Sequence, residues 1–262
     1  MFNALYISAT GMQAQQLNVD TIANNLANVN TTGFKKAKVG FTDLMVREAA
    51  RRMPNQELAG ILGADTRMGA GVGVTGISKM FDLGDMKQTD SAYDLAIQGD
   101  GFLEVTLPDG ASAYARGGTF RTNAEGLLAT SAGYPLKPGI TIPDNAQSLT
   151  ITRDGHVQVQ VTGQSTAVDL GQLDLVHFTN PTGLQSQGDN LYRASSASGE
   201  AITGKAGEDG LGTLAQGFLE GSNVKMTEEM VNLMIAQRVY EANVKVIQAS
   251  DEMLGMINGL RR

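Results

Sequence analysis

The sequence predicts an α+β fold in which two terminal helices bracket a mainly antiparallel β domain. Apolar residues recur at helical spacings of three and four at both ends of the chain. Between the ends, short alternating runs are separated by Asp-Gly dipeptides, which is typical of strands and turns. We therefore expect the N- and C-terminal helices to pack as a coiled-coil-like pair, with the β domain and an extended arm inserted between them.

The N-terminal helix is predicted within residues 1–33, which form the first part of a helical domain. Gly11 inside the helix lowers its stability by about 1 kcal/mol relative to alanine. Asn30 and Gly33 in "NVNTTGFKK" supply the chemistry that ends a helix. The apolar positions share one helical face and form a candidate assembly interface: Leu5, Met12, Val19, Ile22, Leu26 and Val29.

The middle of the chain divides into two predicted regions. Residues 34–95 have a weak pattern, rich in glycine, alanine and polar residues over 53–76, and we expect a linker with a loop or extended arm. Residues 96–214 are expected to form a β-rich domain. The runs that predict its strands are "DLAIQ", "GFLEVTL", "SAYAR", "SLTIT", "HVQVQV" and "LDLVHF". Asp100-Gly101, Asp109-Gly110 and Asp154-Gly155 favour hairpin turns between them.

Residues 215–262 are predicted as a return segment followed by a long helix. Ser222 or Asn223 could cap this helix, and Glu228 and Glu229 favour its positive end. One predicted stripe comprises Met226, Met230, Leu233, Gln237, Tyr240, Val244, Ile247, Asp251 and Leu254. A second comprises Val231, Ile235, Ala242, Val246, Ala249, Met253 and Leu260. An arc this wide needs more than one neighbour, so we expect further copies of the chain or a close relative beside the N-terminal helix.

The charge and the composition exclude several function classes. The net charge is −7, and the two ends are nearly neutral, which argues against a nucleic-acid partner. Cysteine is absent, so disulfides and thiolate chemistry are excluded. Residues 1–30 have no pattern of a cleaved secretory signal, and no apolar run is long enough to span a bilayer.

Candidate catalytic features are few, and we expect no enzymatic activity, no cofactor and no metal. His156 and His177 have no sequence neighbours at ligand spacing. "GVGVTG" at 71–76 matches a dinucleotide-binding motif by letter, but no helical pattern follows it. A hydrolytic β protein would need paired carboxylates or a nucleophile with a base. A closed coiled-coil adaptor stays open as an alternative and would have a small fixed mass in solution.

Two long motifs at opposite ends of the chain carry a family resemblance. "ATGMQAQQLNVDTIANNLANVNTTGFKK", residues 9–36, and "LEGSNVKMTEEMVNLMIAQRVYEANVKVIQASDEML", residues 219–254, resemble the terminal signatures of the rod and hook axial proteins of the bacterial flagellum. "DLAIQGDGFLEV" and "LVHFTNPTGLQSQGDNLYRASSASG" are similar to blocks of that family's β domain, with Leu103 and "YARGGTF" as departures. The motif residues are Ala23, Asn24, Asn25, Leu26, Asn28, Thr32, Gly33, Phe34, Ser222, Asn223, Glu229, Met230, Gln237, Arg238, Tyr240, Glu241 and Asn243.

The resemblance implies a structural subunit of a hollow helical tube, with the terminal helices innermost and the β domain outside. Length and layout favour a subunit of the distal rod, and hook or proximal-rod subunits are the alternatives. The implied partners are further copies, proximal-rod and hook-side axial proteins, the outer bushing rings and the flagellar type III export apparatus. The implied location is the basal-body rod crossing the periplasm, reached without a cleaved signal. An extra stretch at about 44–74 is expected to lock neighbouring subunits and stiffen the tube.

Overall fold

The computed structural model describes residues 2–47, 67–163 and 166–259. The chain forms two compact units, each built from separate segments. Unit 1 comprises residues 1–27, 37–78 and 225–262, and unit 2 comprises residues 28–36 and 79–224.

In its described residues, unit 1 contains two helices and a two-stranded sheet. Helix α1 is Phe2–Ala27 and helix α2 is Met226–Gly259, and the two pack against each other. Strands β1, Ala37–Arg47, and β2, Arg67–Lys79, are hydrogen-bonded neighbours, and β1 also packs on α1. Helix α1 ends at Ala27, and Gly33, six residues further on, has φ of 70°, a conformation that favours glycine.

Unit 2 is almost entirely β structure in the part of the chain that is described. Its strands are β3 Met86–Gln88, β4 Asp94–Gln98, β5 Phe102–Thr106, β6 Ser112–Ala115, β7 Gly117–Thr122, β8 Leu128–Thr130, β9 Ala146–Ile151, β10 His156–Val161, β11 Val168–Gln172, β12 Asp174–His177, β13 Gln185–Gly188, β14 Leu191–Arg193, β15 Ile202–Lys205, β16 Thr213–Gln216 and β17 Phe218–Glu220. A 3₁₀ turn, Pro181–Gly183, precedes β13.

The strands of unit 2 pair antiparallel in four sheets. The orders are β13-β14-β6-β5-β12-β15, β16-β4-β7-β8, β11-β10-β9 and β17-β3. Register in the largest sheet sets Leu103 opposite both Ala115 and Leu175. Because these residues are all buried, the register keeps the apolar face of the sheet inward.

Two apolar clusters hold unit 2 together. The larger joins the sheets through aliphatic residues such as Leu95, Leu103 and Val157, all fully buried. The smaller is aromatic: Phe102, Tyr114, Phe178 and Tyr192 pack edge to face, with ring centroids 4.8–6.2 Å apart. In β10, "HVQVQV", Val157 and Val159 are buried and the intervening Gln158 is half-buried, which accounts for its alternating sequence.

Three sequence expectations need correction. Asp100-Gly101 does not form a hairpin turn, because it joins β4 and β5, which belong to different sheets. The stretch expected as loop or arm over 53–76 includes the first part of β2, whose glycine-rich sequence has little strand signal. Helix α2 begins at Met226, and the side chains of Ser222 and Asn223 make hydrogen bonds elsewhere instead of capping it.

Candidate assembly surface and buried ionic cluster

The face of α2 that is buried in unit 1 carries small and polar residues. Glu229, Ala236 and Ser250 are buried, and Asn243 is half-buried. These four residues follow one another at intervals of seven, the spacing of a helix seam that stays against one partner helix. The predicted positions Leu233 and Ile247 lie between them along the helix, Leu254 follows Ser250, and all three are half-buried.

Helix α1 presents a matching face. Its buried residues are Ser8, Ala14, Thr21, Ile22 and Asn25, all small or polar except Ile22. A Cβ added to Gly11 would lie 3.1 Å from the Asn243 side-chain nitrogen, so the helices approach closely at this position. Asn25 binds the backbone of Ala37 through both side-chain atoms, at 2.8 and 2.9 Å, and its amide nitrogen lies 3.3 Å from Glu229 Oε2.

Large apolar side chains lie on the exposed parts of the two helices. Met234 is 57% exposed and Ile235 is 56% exposed. The full exposed set on the described parts of the helices is Tyr6, Ile7, Met226, Met230, Val231, Met234, Ile235, Val239, Tyr240, Val246, Met253, Met256 and Ile257. Soluble monomers rarely expose so many large apolar residues on one element, so this pattern marks an association surface.

The predicted interface residues divide between the two faces. Ile22 is buried, and Met230 and Tyr240 are exposed. Half-buried members are Leu5, Met12, Val19, Leu26, Val29, Leu233, Val244, Ile247 and Leu254. In the second predicted stripe, Val231, Ile235, Ala242, Val246, Ala249 and Met253 are exposed, and Leu260 lies outside the described residues.

The β1–β2 pair adds a second exposed apolar surface to unit 1. Phe41, Leu44, Met45, Val74 and Ile77 are all exposed on these two strands. The stretch predicted at about 44–74 ends within β1 and β2, and its central residues, 48–66, lie outside the described residues.

A buried ionic cluster lies in unit 2. Lys35 donates at 2.7 Å to Glu220 Oε1 and at 2.6 Å to the Asp82 carbonyl. Arg116 donates through Nε to Glu220 Oε2 at 3.3 Å, and its other nitrogens bind the carbonyls of Gly99 and Gly101. All three charged side chains are at most 3% exposed. One carboxylate therefore faces two cations away from water.

Burial lowers the pKa of Lys35, and the charge and hydrogen bond of Glu220 oppose that shift. Burial also lowers the pKa of Lys79, whose ammonium lies 4.2 Å from the centre of the Phe34 ring. In the adjoining aromatic cluster, burial raises the pKa of Tyr192 to about 12. The glutamate is thus what makes two buried cations tolerable in this part of the core.

The motif residues fall into two groups in the structure. Those in unit 2 gather near the ionic cluster: Gly33 donates to the Glu220 carbonyl at 2.8 Å, and Thr32 accepts from Asn190 at 2.7 Å. Phe34 is buried, and its carbonyl accepts from the Asn223 amide at 3.4 Å. Ser222 and Asn28 are half-buried.

The remaining motif residues lie on the helices of unit 1. Asn25, Glu229 and Asn243 line the inner face described above. Exposed members are Ala23, Asn24, Met230, Gln237, Arg238, Tyr240 and Glu241, and Arg238 pairs with Glu241 at 3.0 Å. Contacts with other molecules explain exposed motif residues better than packing within this chain does.

Sequence reasoning missed several residues. Lys35 and Glu220 stood inside the motifs, but no local signal distinguishes them from exposed charges, and Arg116 had none either. Ala236 and Ser250 were missed because they are not large apolar residues. His156 also gains a carboxylate that the sequence did not show: its Nδ1 lies 3.1 Å from Asp169 Oδ2 across the β10–β11 pair, and both side chains are exposed.

Within residues 2–47, 67–163 and 166–259, no cluster of three acidic, histidine or cysteine residues could hold a metal ion. Over the same residues, neither helix has the length and apolar character needed to cross a membrane.

Three protein families match parts of the chain. Residues 5–35 match the family described as flagella basal body rod protein. Residues 96–159 match the D1 domain of flagellar hook protein FlgE/F/G. Residues 215–260 match the C-terminal region of flagellar basal body rod FlgEFG protein. Nearly all of the N-terminal motif, all of the C-terminal motif and the first half of the predicted β domain are thus covered.

Relatives that align with nearly the whole chain are also flagellar basal-body rod proteins. The flagellar basal-body rod protein FlgG of Buchnera aphidicola subsp. Schizaphis graminum is 44% identical over 99% of this chain and all of its own length. FlgG of Caulobacter vibrioides is 43% identical over 98% of this chain and 99% of its own. FlgF of the same bacterium is 35% identical over 98% of this chain and all of its own. The chain therefore belongs to the flagellar basal-body rod protein family, and it resembles FlgG more than FlgF.

Proposed function

We propose that this chain is the structural subunit of the flagellar distal rod, assembling head to tail into a stiff hollow tube. The tube transmits motor torque to the hook and encloses the export channel. Membership of the family makes the chain a structural component of the flagellar basal body that associates with itself and with other axial proteins. The FlgG names of its full-length relatives support the distal position.

One observation carries the assembly proposal. Apart from Ile22, the fully buried residues of α1 and α2 are small or polar, whereas large apolar residues of α2, such as Met234 and Ile235, are exposed. A self-contained helix pair would reverse this arrangement and bury its large residues. We infer a coiled-coil-like pair whose outer faces are covered by the helices of neighbouring copies. A head-to-tail contact that does not close produces a tube of unlimited length.

The proposal extends to the partners of the tube. At its ends, the same helical surfaces would meet the proximal-rod and hook-side axial proteins. Along its sides, the outer β domain would face the bushing rings. Before assembly, the subunit would be exported through the flagellar type III export apparatus. It acts by assembly and not by catalysis.

The experiment compares tube formation by three forms of the full chain. Replacing Met234 and Ile235 together by serine removes apolar surface that is exposed in the single chain. We expect the variant to fold like the parent, since neither residue is buried, but to form no tubes. Lys245→Ser, at another exposed α2 position, serves as the matched control. Tubes of the double variant that form as readily as those of the parent would refute the proposal.

A further inference from the structure

The chain passes between its two units four times. The passages follow Ala27, Lys36, Ser78 and Val224. A single flexible connection would let two units twist independently. Four connections restrict twisting only if their ends are held at a fixed spacing. Within unit 2, hydrogen bonds join the residues that flank these connections.

Asn223 ties three of these passages together. Its Oδ1 accepts from the Lys36 amide at 2.7 Å, and its Nδ2 donates to the Met80 carbonyl at 2.9 Å and the Asp82 carbonyl at 3.2 Å. The Met80 amide donates to the Lys36 carbonyl at 2.9 Å. Residues next to the second, third and fourth passages are therefore joined in one ring of hydrogen bonds within unit 2.

Lys79 adds a second connection between the same segments. Its ammonium donates to the Lys35 carbonyl at 2.9 Å and lies over the Phe34 ring. The residue that begins the long segment of unit 2 is thus fastened to the end of the short one, 28–36.

The ionic cluster anchors this ring to the β sheets. Lys35 and Glu220 lie within a few residues of Lys36 and Asn223 along the chain, and they bind each other at 2.7 Å. Glu220 Oε1 also accepts from the Gly84 amide at 3.0 Å. Arg116 continues the network to the carbonyls of Gly99 and Gly101, between β4 and β5. Charge-assisted bonds of this kind hold geometry more strongly than neutral ones.

We propose that Lys35, Asn223 and Glu220 form a crossing clamp that carries torque between the two units. The clamp fixes the spacing of the chain passages. When one unit is twisted, the load is therefore shared by several covalent connections, and the unit does not rotate freely about a single one. This proposal rests on the proposed function, because it concerns how the rod subunit bears load.

The test uses the full chain in a flagellated strain that lacks its own rod subunit. Asn223→Ala removes three side-chain hydrogen bonds from the clamp. Asn123→Ala removes three in the β7–β8 turn, to Glu125 and Leu127, and is the matched control. In the purified variant, exchange of the Lys36 amide should accelerate by about tenfold, because one hydrogen bond is lost. Basal bodies are counted by microscopy, and rotation speed is measured at low and at high viscous load.

We expect Asn223→Ala cells to keep their basal bodies and their speed at low load, and to lose speed at high load relative to the Asn123→Ala control. A speed–load curve equal to that of the control, despite the faster exchange, would overturn the clamp. Lys79→Met tests the same network by removing a different bond, the one from the Lys79 ammonium to the Lys35 carbonyl. Loss of basal bodies in both variants would also overturn the proposal, since the network would then serve folding. Failure of the unaltered chain to restore basal bodies would instead contradict the proposed function.

Discussion

At the scale of single residues, the charged side chains of the ionic cluster differ in how much their replacement should lower the free energy of unfolding. Lys35, Arg116 and Glu220 together carry a net charge of +1 in the core. Glu220→Gln raises this to +2, and Lys35→Met lowers it to zero. We expect Glu220→Gln to lower the free energy of unfolding of unit 2 by about 3–5 kcal/mol, the usual cost of an uncompensated buried charge. Lys35→Met should cost less.

Urea unfolding of the two purified variants, followed by tyrosine fluorescence, measures this difference. Lys137→Met provides the control, because its pair with Glu104 is exposed on the lysine side. An equal loss in Glu220→Gln and Lys35→Met, or a larger loss in Lys35→Met, would contradict the argument from net charge.

A second residue-scale prediction concerns alkaline pH. Tyr192 packs against Phe81, and burial raises its pKa from 10.0 to about 12, a shift worth about 2–3 kcal/mol. As pH rises from 10 to 12, the unfolded chain loses this proton before the folded chain does, so stability falls. The lowered pKa of Lys35 acts in the opposite direction, and its contribution cancels when variants are compared with the parent.

We expect the Tyr192→Phe protein to lose less stability than the parent between pH 10 and pH 12. Thermal unfolding across this range measures the effect. Tyr93→Phe, at a 38% exposed position of the same unit, controls for the loss of a tyrosine hydroxyl. A Tyr192→Phe curve with the parent's slope would contradict the assignment.

The sequence carried little information at this scale. Lys35 and Lys36 are adjacent in "GFKK", and only Lys35 is fully buried. Its partner Glu220 is separated from it by 185 residues. Because the contact depends on tertiary structure, no local pattern could predict which lysine enters the core.

At the scale of elements, the close approach of α1 to α2 is the feature most open to test. A Cβ at Gly11 would press on the Asn243 side chain at 3.1 Å. We expect Gly11→Val to destabilise the helix pair by about 1–3 kcal/mol through overpacking. Gly255→Val is the matched control, since a Cβ there meets no atom within 4 Å.

Helical circular dichroism during thermal unfolding measures both variants. The Gly255→Val protein should unfold at or slightly above the parent temperature, because valine favours a helix more than glycine does. Equal unfolding temperatures for the two variants would contradict the proposed close approach.

The elements themselves were largely predictable. Both helices and the six named strand runs formed where periodicity indicated them. The inner face of α2 was not predictable, because the pattern selects the largest apolar residues. Met226 and Met230 were expected inside a stripe, yet they are exposed, and Ala236 and Ser250 take the buried positions. A helix of this kind packs small residues against its partner helix in the same chain and presents large residues to the helices of neighbouring copies.

At the scale of the whole molecule, we predict that the stretch between β1 and β2 stiffens the assembled tube. Replacing residues 48–66 by a short Gly-Ser linker should leave α1, α2 and their exposed apolar residues unchanged. Tubes should still form, but they should bend, because a connection between neighbouring subunits is lost. Replacing the same residues by a polar sequence of equal length controls for chain length. Straight, stiff tubes from the shortened chain would contradict this role.

The central claim is that the exposed apolar residues of the helix pair are covered by other copies of the same chain in an open tube. Electron cryomicroscopy of the assembled protein tests it most directly. We expect straight tubes with an axial bore, in which Met234 and Ile235 of each subunit contact helices of its neighbours. Curved tubes would indicate a hook-like subunit. A closed ring of fixed stoichiometry, or a tube with these side chains still in solvent, would contradict the account.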